Sequence, residues 1–415
     1  MRCAPSPTVG RAGQACARET GRSSCATRRW CGATASGLAT WALPFVLGLA
    51  VLERELTAAE LGLLLAARTV GFLAAVPVGG VLADRHSRRG VVLWSGLAAA
   101  GSAPLLAAGL GRSVALTAAA AAVAGAGQGA CRPAFQALTA EVVEEGRRQQ
   151  ANAAMTLAVR VSTLIGPGLA ALLAPVLHIR GLLLGIGLLW LVAALVPGRG
   201  TGAGGPAADR RDSFVGEFTD GIREARRHPW FVAGLGALAA VIFTGYSATG
   251  VALLVSRDRY GTGAVLAAAL TAYTAGALAG ALVIVHWRPR AQGWAALAAL
   301  AAYGVAPLSL VFPVHPAVVV AAYLAAGLGI ELFNVPWFTA IQREVAPERL
   351  ARVSSLDFLV SYGLAPAGLA LIAPAIDAFG LRPVLAVCAL VCFLAPAAAA
   401  LTPSARDFSR RRAPA

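Results

Sequence analysis

Apolar runs of about twenty residues follow one another along most of this 415-residue chain, at about 33–52, 58–83, 90–110, 113–137, 152–175, 181–197, 230–255, 263–286, 292–312, 316–340, 354–375 and 382–402. A helix of roughly that length spans the hydrocarbon core of a bilayer. Lipid offers backbone groups no hydrogen-bond partner, so such runs must close their own hydrogen bonds as helices. Charged residues make up only 13% of the chain, where a soluble domain carries roughly 25%. The runs predict an all-α integral membrane protein with twelve transmembrane helices.

The formal charge of +15 comes from Arg alone, since the chain has no Lys. Most of these Arg fall in the loops that alternate on one side, which is the positive-inside pattern and predicts cytoplasmic termini. Arg-for-Lys usage with abundant Ala and Gly suggests a GC-rich bacterial genome, hence a bacterial cytoplasmic membrane. No basic patch is interleaved with exposed aromatics, which argues against nucleic acid as a partner. Residues 1–32 have no apolar core and read as a disordered cytoplasmic tail rather than a secretory signal. Residues 198–229, rich in Gly and charge, read as a cytoplasmic linker. Within it, Asp212 to Arg227 has the spacing of a short amphipathic helix lying on the membrane surface. Residues 403–415 form a second cytoplasmic tail. The spacings of Cys3, Cys16, Cys25 and Cys31 fit no zinc pattern. A phosphate-binding GxxxxGK[ST] loop is impossible without Lys. His86, His178, His228, His286 and His315 are scattered near helix ends, so neither a metal centre nor a catalytic cluster is expected. The sequence points away from an enzyme and calls for no cofactor.

The two halves of the chain repeat. Pro133, Phe135, Ala137, Glu141 and Val142 align at one constant spacing with Pro336, Phe338, Ala340, Glu344 and Val345. Thr69 and Gly71 align with Thr274 and Gly276, and Pro167 with Pro366. The chain therefore divides into two pseudo-symmetric six-helix bundles, 33–197 and 230–402, around a central cavity.

Between the second and third runs lies Gly79-Gly80-Val81-Leu82-Ala83-Asp84-Arg85-His86-Ser87-Arg88-Arg89. This loop resembles the signature of the major facilitator superfamily of transporters, with Ser87 where the family has a second loop glycine. Parallel six-helix repeats are that superfamily's architecture. The resemblance implies that the first, fourth, seventh and tenth helices line the cavity and that the third, sixth, ninth and twelfth face lipid. It also implies a conformational gate built from Gly80, Asp84, Arg85, Arg88 and Arg89. Asp84 would approach the N-terminus of the eleventh helix at Arg352-Val353-Ser354-Ser355, and Arg88 would pair with Glu141. Gly166-Pro167 in the fifth helix resembles the Gly-Pro element of exporters and implies a bend there. The Arg-Pro-Ala at 132–134 and Arg-Val-Ser-Ser at 352–355 look closest to bacterial exporters of the enterobactin and macrolide efflux type. One position departs: proton-coupled drug exporters carry Arg three residues before a Gln-Gly pair, and here Gly125 precedes Gln128-Gly129.

Away from the edges of the runs, five charged residues lie inside them: Arg68, Arg132, Arg160, Glu331 and Asp357. Each costs several kcal/mol in lipid and so needs a cavity or a partner. Away from their edges, the third, sixth, ninth and twelfth runs carry none. Glu331 sits roughly 15 Å from the cytoplasmic end of its helix at 1.5 Å per residue. Its repeat partner is Gln128, so the two are expected to face each other across the cavity. Glu331 is the first candidate to carry a proton, with a cation contact or an Arg ion pair as alternatives. Arg68 and Arg160 are expected to meet an anionic substrate or a carboxylate. Arg132 and Asp357, nearer the cytoplasmic face, are expected to snorkel or to pair at the gate. Asp357 is also the second candidate for the proton. Trp41, Phe45, Tyr246, Tyr273, Tyr323 and Phe333 are expected to line the cavity or to pack. The sequence thus predicts a monomeric secondary transporter, exporting a small amphipathic drug-like or siderophore-like solute against protons. Uptake, facilitated exchange or a non-transporting sensor are the alternatives.

Overall fold

The computed structural model describes residues 31–32, 34–196 and 213–409. The predicted N-terminal tail before Cys31, linker residues 198–212 and the end of the C-terminal tail lie outside that set.

The first half begins with α1 (Thr34–Leu52). It continues with α2 (Ala58–Arg85), α3 (Arg88–Gly109), α4 (Val114–Val142) and the long α5 (Arg148–Leu195). The last contains two predicted spans, because His178 breaks it with φ 53° and ψ 172°. One residue therefore turns the chain where the sequence suggested a short loop. Among the described residues, eleven helical stretches are long and apolar enough to cross a membrane, and this broken one crosses twice, giving twelve spans. α6 (Phe214–Arg226) follows. The second half comprises α7 (Pro229–Val241) and α8 (Ala248–Tyr260), joined through a π-turn at Ile242–Tyr246 as the seventh span. The eighth to twelfth spans are α9 (Ala264–His286), α10 (Gln292–Ala301) with α11 (Val305–Val311), α12 (Pro316–Glu344), α13 (Leu350–Phe379) and α14 (Leu381–Ala400).

Local chemistry explains the helix starts. Thr57 and Glu60 form a reciprocal capping box at α2. Ser87 accepts the Gly90 N–H at 3.1 Å and caps α3. The position where the loop departs from the family pattern is thus a helix cap.

Each half is knit by close helix crossings, and one of them repeats clearly. A Cβ added at Gly71 would drive into the Ala122 carbonyl of α4, and one at Gly125 into the Arg68 carbonyl of α2. In the second half Gly276 meets the Leu324 carbonyl and Gly327 the Tyr273 carbonyl in the same way. Small residues let membrane helices approach backbone to backbone, so α2 with α4 and α9 with α12 are matched, tightly coupled pairs. The largest buried side chains of the second half, Trp230, Phe231, Phe333 and Trp337, form one aromatic stack.

Candidate functional site

The two halves meet most closely at the end where α2 finishes and α13 begins, which we call the basic face. A Cβ at Gly80 would lie 2.9 Å from the Ser355 Cβ and 3.0 Å from the Ala351 carbonyl, so α2 and α13 touch there because residue 80 is glycine. One turn on, the Asp84 carboxylate accepts the backbone N–H groups of Ala351 (3.2 Å) and Arg352 (3.0 Å). These are donors that the first turn of α13 leaves unsatisfied, at the positive end of the helix dipole. Arg352 Nε also stands 3.4 Å from the same carboxylate. Arg88 pairs with Glu141 at 3.2 Å within its own half and donates to the Pro347 carbonyl of the other. Arg89 does something different from the expected gate role. It donates to the Ala194 and Leu195 carbonyls (2.5 and 3.2 Å), closing the last turn of α5 inside the first half.

Deeper in, a band of amides seals the same seam. Asn152 donates to Thr339 Oγ1 and Gln342 Oε1, both at 3.0 Å. Gln342 donates to Gln136 Oε1 at 2.9 Å. Arg148 reaches the Gln342 carbonyl (2.8 Å) and Gln149 the Ile284 carbonyl (2.7 Å). None of these was singled out from the sequence, although Asn152 stands out as a polar residue early in an apolar run.

α6 straps this seam from outside. Glu217 accepts from Arg85 Nε at 2.7 Å. Its backbone carbonyl accepts from Arg352. Glu224 pairs with Arg349 of the second half and with Arg227 at 3.1 Å. The amphipathic helix expected from the linker is therefore present, but its buried residues, Glu217, Gly221, Glu224 and Ala225, face protein. Glu224 shows the electrostatics of the strap. Burial alone would raise its carboxyl, but the hydrogen bond and charge of Arg349, with His228 and Arg227, hold it below the ordinary carboxylate value.

Beyond the amide band a cavity of about 530 Å³ lies between the halves. That volume is within the range of small-molecule sites. Leu369 and Tyr246, at its lining, are 37% and 40% exposed. All five ionisable residues predicted from the sequence line it. Glu331, 1% exposed, pairs through Oε1 with Arg160, whose Nε lies 2.6 Å away. The pair joins the two halves at mid-depth. Glu331 Oε2 is buried and has no hydrogen-bond partner among the described residues. Gln128 lines the same cavity but is engaged on its own side, accepting from Arg68 at 2.7 Å. The structure explains the absent Arg at position 125. Gly125 lies against the α2 backbone with no space for a side chain, and the guanidinium beside Gln128 comes from Arg68 instead.

Two expectations are corrected. Arg132 does not snorkel to the surface. Its guanidinium lies over the Tyr362 ring, 4.9 Å from the centroid, on the cavity wall. Asp357 neither snorkels nor pairs at the gate; it is 1% exposed and accepts the Trp337 indole N–H at 2.9 Å. At Gly166-Pro167 the backbone stays helical, the only described residue with non-helical angles inside α5 being His178. A Cβ added at Gly166 would lie 3.7 Å from the Leu38 carbonyl of α1. Among the aromatics, Trp41, Tyr246 and Tyr273 reach the cavity, whereas Tyr323 and Phe333 are fully buried in packing and Phe45 packs on the first-half core. Sequence reasoning missed Phe72, Phe135, Phe338, Phe358 and Tyr362, which complete the lining from α2, α4, α12 and α13.

No curated protein matches the chain by sequence. Among solved structures, it is similar to the human organic anion transporter MFSD10 (TETRAN), with 17% identity, TM-score 0.72, and 91% of this chain and 99% of that one covered. A variant of the E. coli fucose:proton symporter FucP gives 15% identity, TM-score 0.68 and coverage of 92% and 99%. A bacterial homologue of the iron transporter ferroportin in its outward-facing state gives 15% identity, TM-score 0.72 and coverage of 91% and 98%. At these identities the likeness is one of fold. The family model described as Major Facilitator Superfamily matches residues 29–368. That match spans most of the chain, and the twelve spans in two repeated bundles agree with it: the chain belongs to the Major Facilitator Superfamily.

Proposed function

We propose that this membrane transporter exports a small amphipathic organic solute across a bacterial cytoplasmic membrane by alternating access, exchanging it for protons. In this reading the basic face is cytoplasmic, as the Arg distribution favours, both termini lie on that side, and the present form opens outward. Residues 33–197 and 230–402 are the two bodies that rock, and one copy of the chain suffices.

The observation that carries proton coupling is the Arg160–Glu331 pair with its unpartnered Oε2. A buried carboxylate with one oxygen engaged and one free has a place to receive a proton without first losing its hydrogen bond. Protonation neutralises Glu331, weakens its hold on Arg160 and so loosens one contact between the halves. Asp84, Arg88 and the amide band then govern how readily the basic face opens. When Arg160 re-engages the carboxylate, the proton leaves.

The test is proton movement in sealed vesicles containing the purified protein, across a panel of aromatic anions and lipophilic cations, with Glu331→Gln alongside. Solute-dependent proton flux that disappears in the variant supports antiport with the proton on Glu331. Flux that survives moves the proton to Asp357. Solute movement without protons replaces antiport by facilitated diffusion.

A further inference from the structure

The charges lining the cavity do not balance. Arg68, Arg132 and Arg160 face Glu331 and Asp357. Arg160 and Glu331 neutralise each other. Asp357, even counted as fully charged, leaves one positive charge in excess, and its Oδ1 is turned to the Trp337 indole. The remaining cations, Arg68 and Arg132, both belong to the first half, and neither has a carboxylate partner among the described residues. Arg68 uses one amino group for the Thr40 carbonyl (3.2 Å) and Gln128 Oε1 (2.7 Å). Arg132 stands over the Tyr362 ring and donates no hydrogen bond to the described protein. Gln128 and Arg132 lie one turn apart on α4, so the guanidinium held by Gln128 stands near the second one, and like charges held together in a poorly solvated cleft repel. Trp41, adjacent to Thr40 on α1, also faces the cavity, and its indole N–H is buried without an acceptor. Donors unspent from three side chains, beside the tilted Phe72–Tyr362 ring pair at 5.0 Å, make a seat for an anion next to a surface for a ring.

We propose that the substrate is a planar aromatic monoanion, its carboxylate or sulfonate held between Arg68 and Arg132 and its ring against Phe72 and Tyr362. This deepens the transporter reading above and rests on it. A guanidinium grips a carboxylate through paired, charge-assisted N–H donors, about twice as strong as its bonds to an uncharged carbonyl, and a cationic ligand is repelled. The wall would have to carry the opposite excess to favour a lipophilic cation.

The experiment uses the purified full chain in lipid nanodiscs and measures equilibrium binding of tritiated 1-naphthoate. Competitors are 1-naphthalenesulfonate, the uncharged 1-naphthamide and tetraphenylphosphonium. The expected result is competition by the sulfonate, at least about tenfold weaker competition by the amide, and a further loss of about tenfold or more for naphthoate in Arg68→Gln and in Arg132→Gln, with a much smaller loss for the amide. Arg68→Lys and Arg132→Lys keep the charge and recover part of the loss, and unfolding temperatures confirm that each variant is folded. Equal binding of naphthoate and naphthamide, tighter binding of tetraphenylphosphonium, or no naphthoate binding up to about millimolar concentration overturns the proposal. Counterflow of naphthoate in proteoliposomes separates the two readings. Binding without counterflow leaves the anion seat and sinks transport, whereas counterflow confined to the cation leaves transport and sinks the seat.

Discussion

Arg160 and Glu331 approach from opposite halves, and removing either strips the other of its counter-charge inside a cleft. Breaking a buried pair by deleting one partner costs about 3–5 kcal/mol, whereas removing both is often nearly neutral. Glu331→Gln is therefore expected to lower the unfolding temperature in detergent more than the double variant Arg160→Gln/Glu331→Gln does. The Arg160 guanidinium keeps its charge when left alone, whereas Glu331 can shed its charge by taking up a proton, as the proposed exchange requires, so Glu331→Gln is also expected to be more harmful than Arg160→Gln. A differential scanning fluorescence series over the four proteins checks both orders. Several of these residues were legible in the sequence, since an ionisable group inside an apolar run must face a cavity or a partner. The Gln128 and Glu331 repeat positions both reached the cavity. What could not be read was rotation about the helix axis. Depth along α4 placed Arg132 near the surface, and only the three-dimensional packing shows its guanidinium over Tyr362.

Between elements, the glycine crossings and the α6 strap set what can move. Gly125→Val forces a side chain into the Arg68 carbonyl. It is expected to cost about 1–3 kcal/mol or more through overpacking. At Gly48 on α1 an added Cβ meets nothing within 4 Å. Gly48→Ala is accordingly expected to be neutral to mildly stabilising, and paired melting curves separate the two. The strap has a pH dependence with a definite sign. Glu224 is held below its ordinary value of 4.5 by Arg349, His228 and Arg227. Its contribution to docking is thus complete above that value and declines as the pH falls through the lower docked value. Spin labels at Val215→Cys on α6 and Glu348→Cys beside α13, in a cysteine-free background, should report a fixed distance at neutral pH and a broadened one in acid. Glu224→Gln should show weaker docking at neutral pH and lose that part of the acid response. The charge spacing that predicted a surface helix was correct as far as periodicity goes. A face of Glu residues reads as solvated until Arg85, Arg349 and Arg352, distant in the chain, are seen beneath it. The π-turn at Ile242–Tyr246, which brings Tyr246 into the lining, left no periodic signal in an apolar run.

Across the whole molecule, the seam between the halves is sealed at the basic face, with the cavity lying beyond it. If opening at that face is required for transport, Asn152→Cys with Thr339→Cys, replacing side chains now 3.0 Å apart, should cross-link on oxidation and abolish counterflow, with recovery on reduction. Retained counterflow in the fully cross-linked protein would exclude alternating access through this seam. The two-bundle architecture was visible from hydropathy and from the internal repeat, because bilayer thickness fixes helix length and duplication preserves the crossing glycines. The unbalanced lining has one more consequence, for the electric field across the membrane. A cavity with one excess positive charge makes the empty carrier, rather than the anion-loaded one, the form whose rocking displaces net charge. Moving a full elementary charge across 100 mV amounts to about 2.3 kcal/mol, and the access switch of a mid-membrane cavity moves some fraction of that. The rate of empty return should therefore depend on voltage while anion exchange, loaded in both directions, should not. Transient currents recorded on a solid-supported membrane would then be carried by the unloaded protein and silenced by saturating anion on both sides.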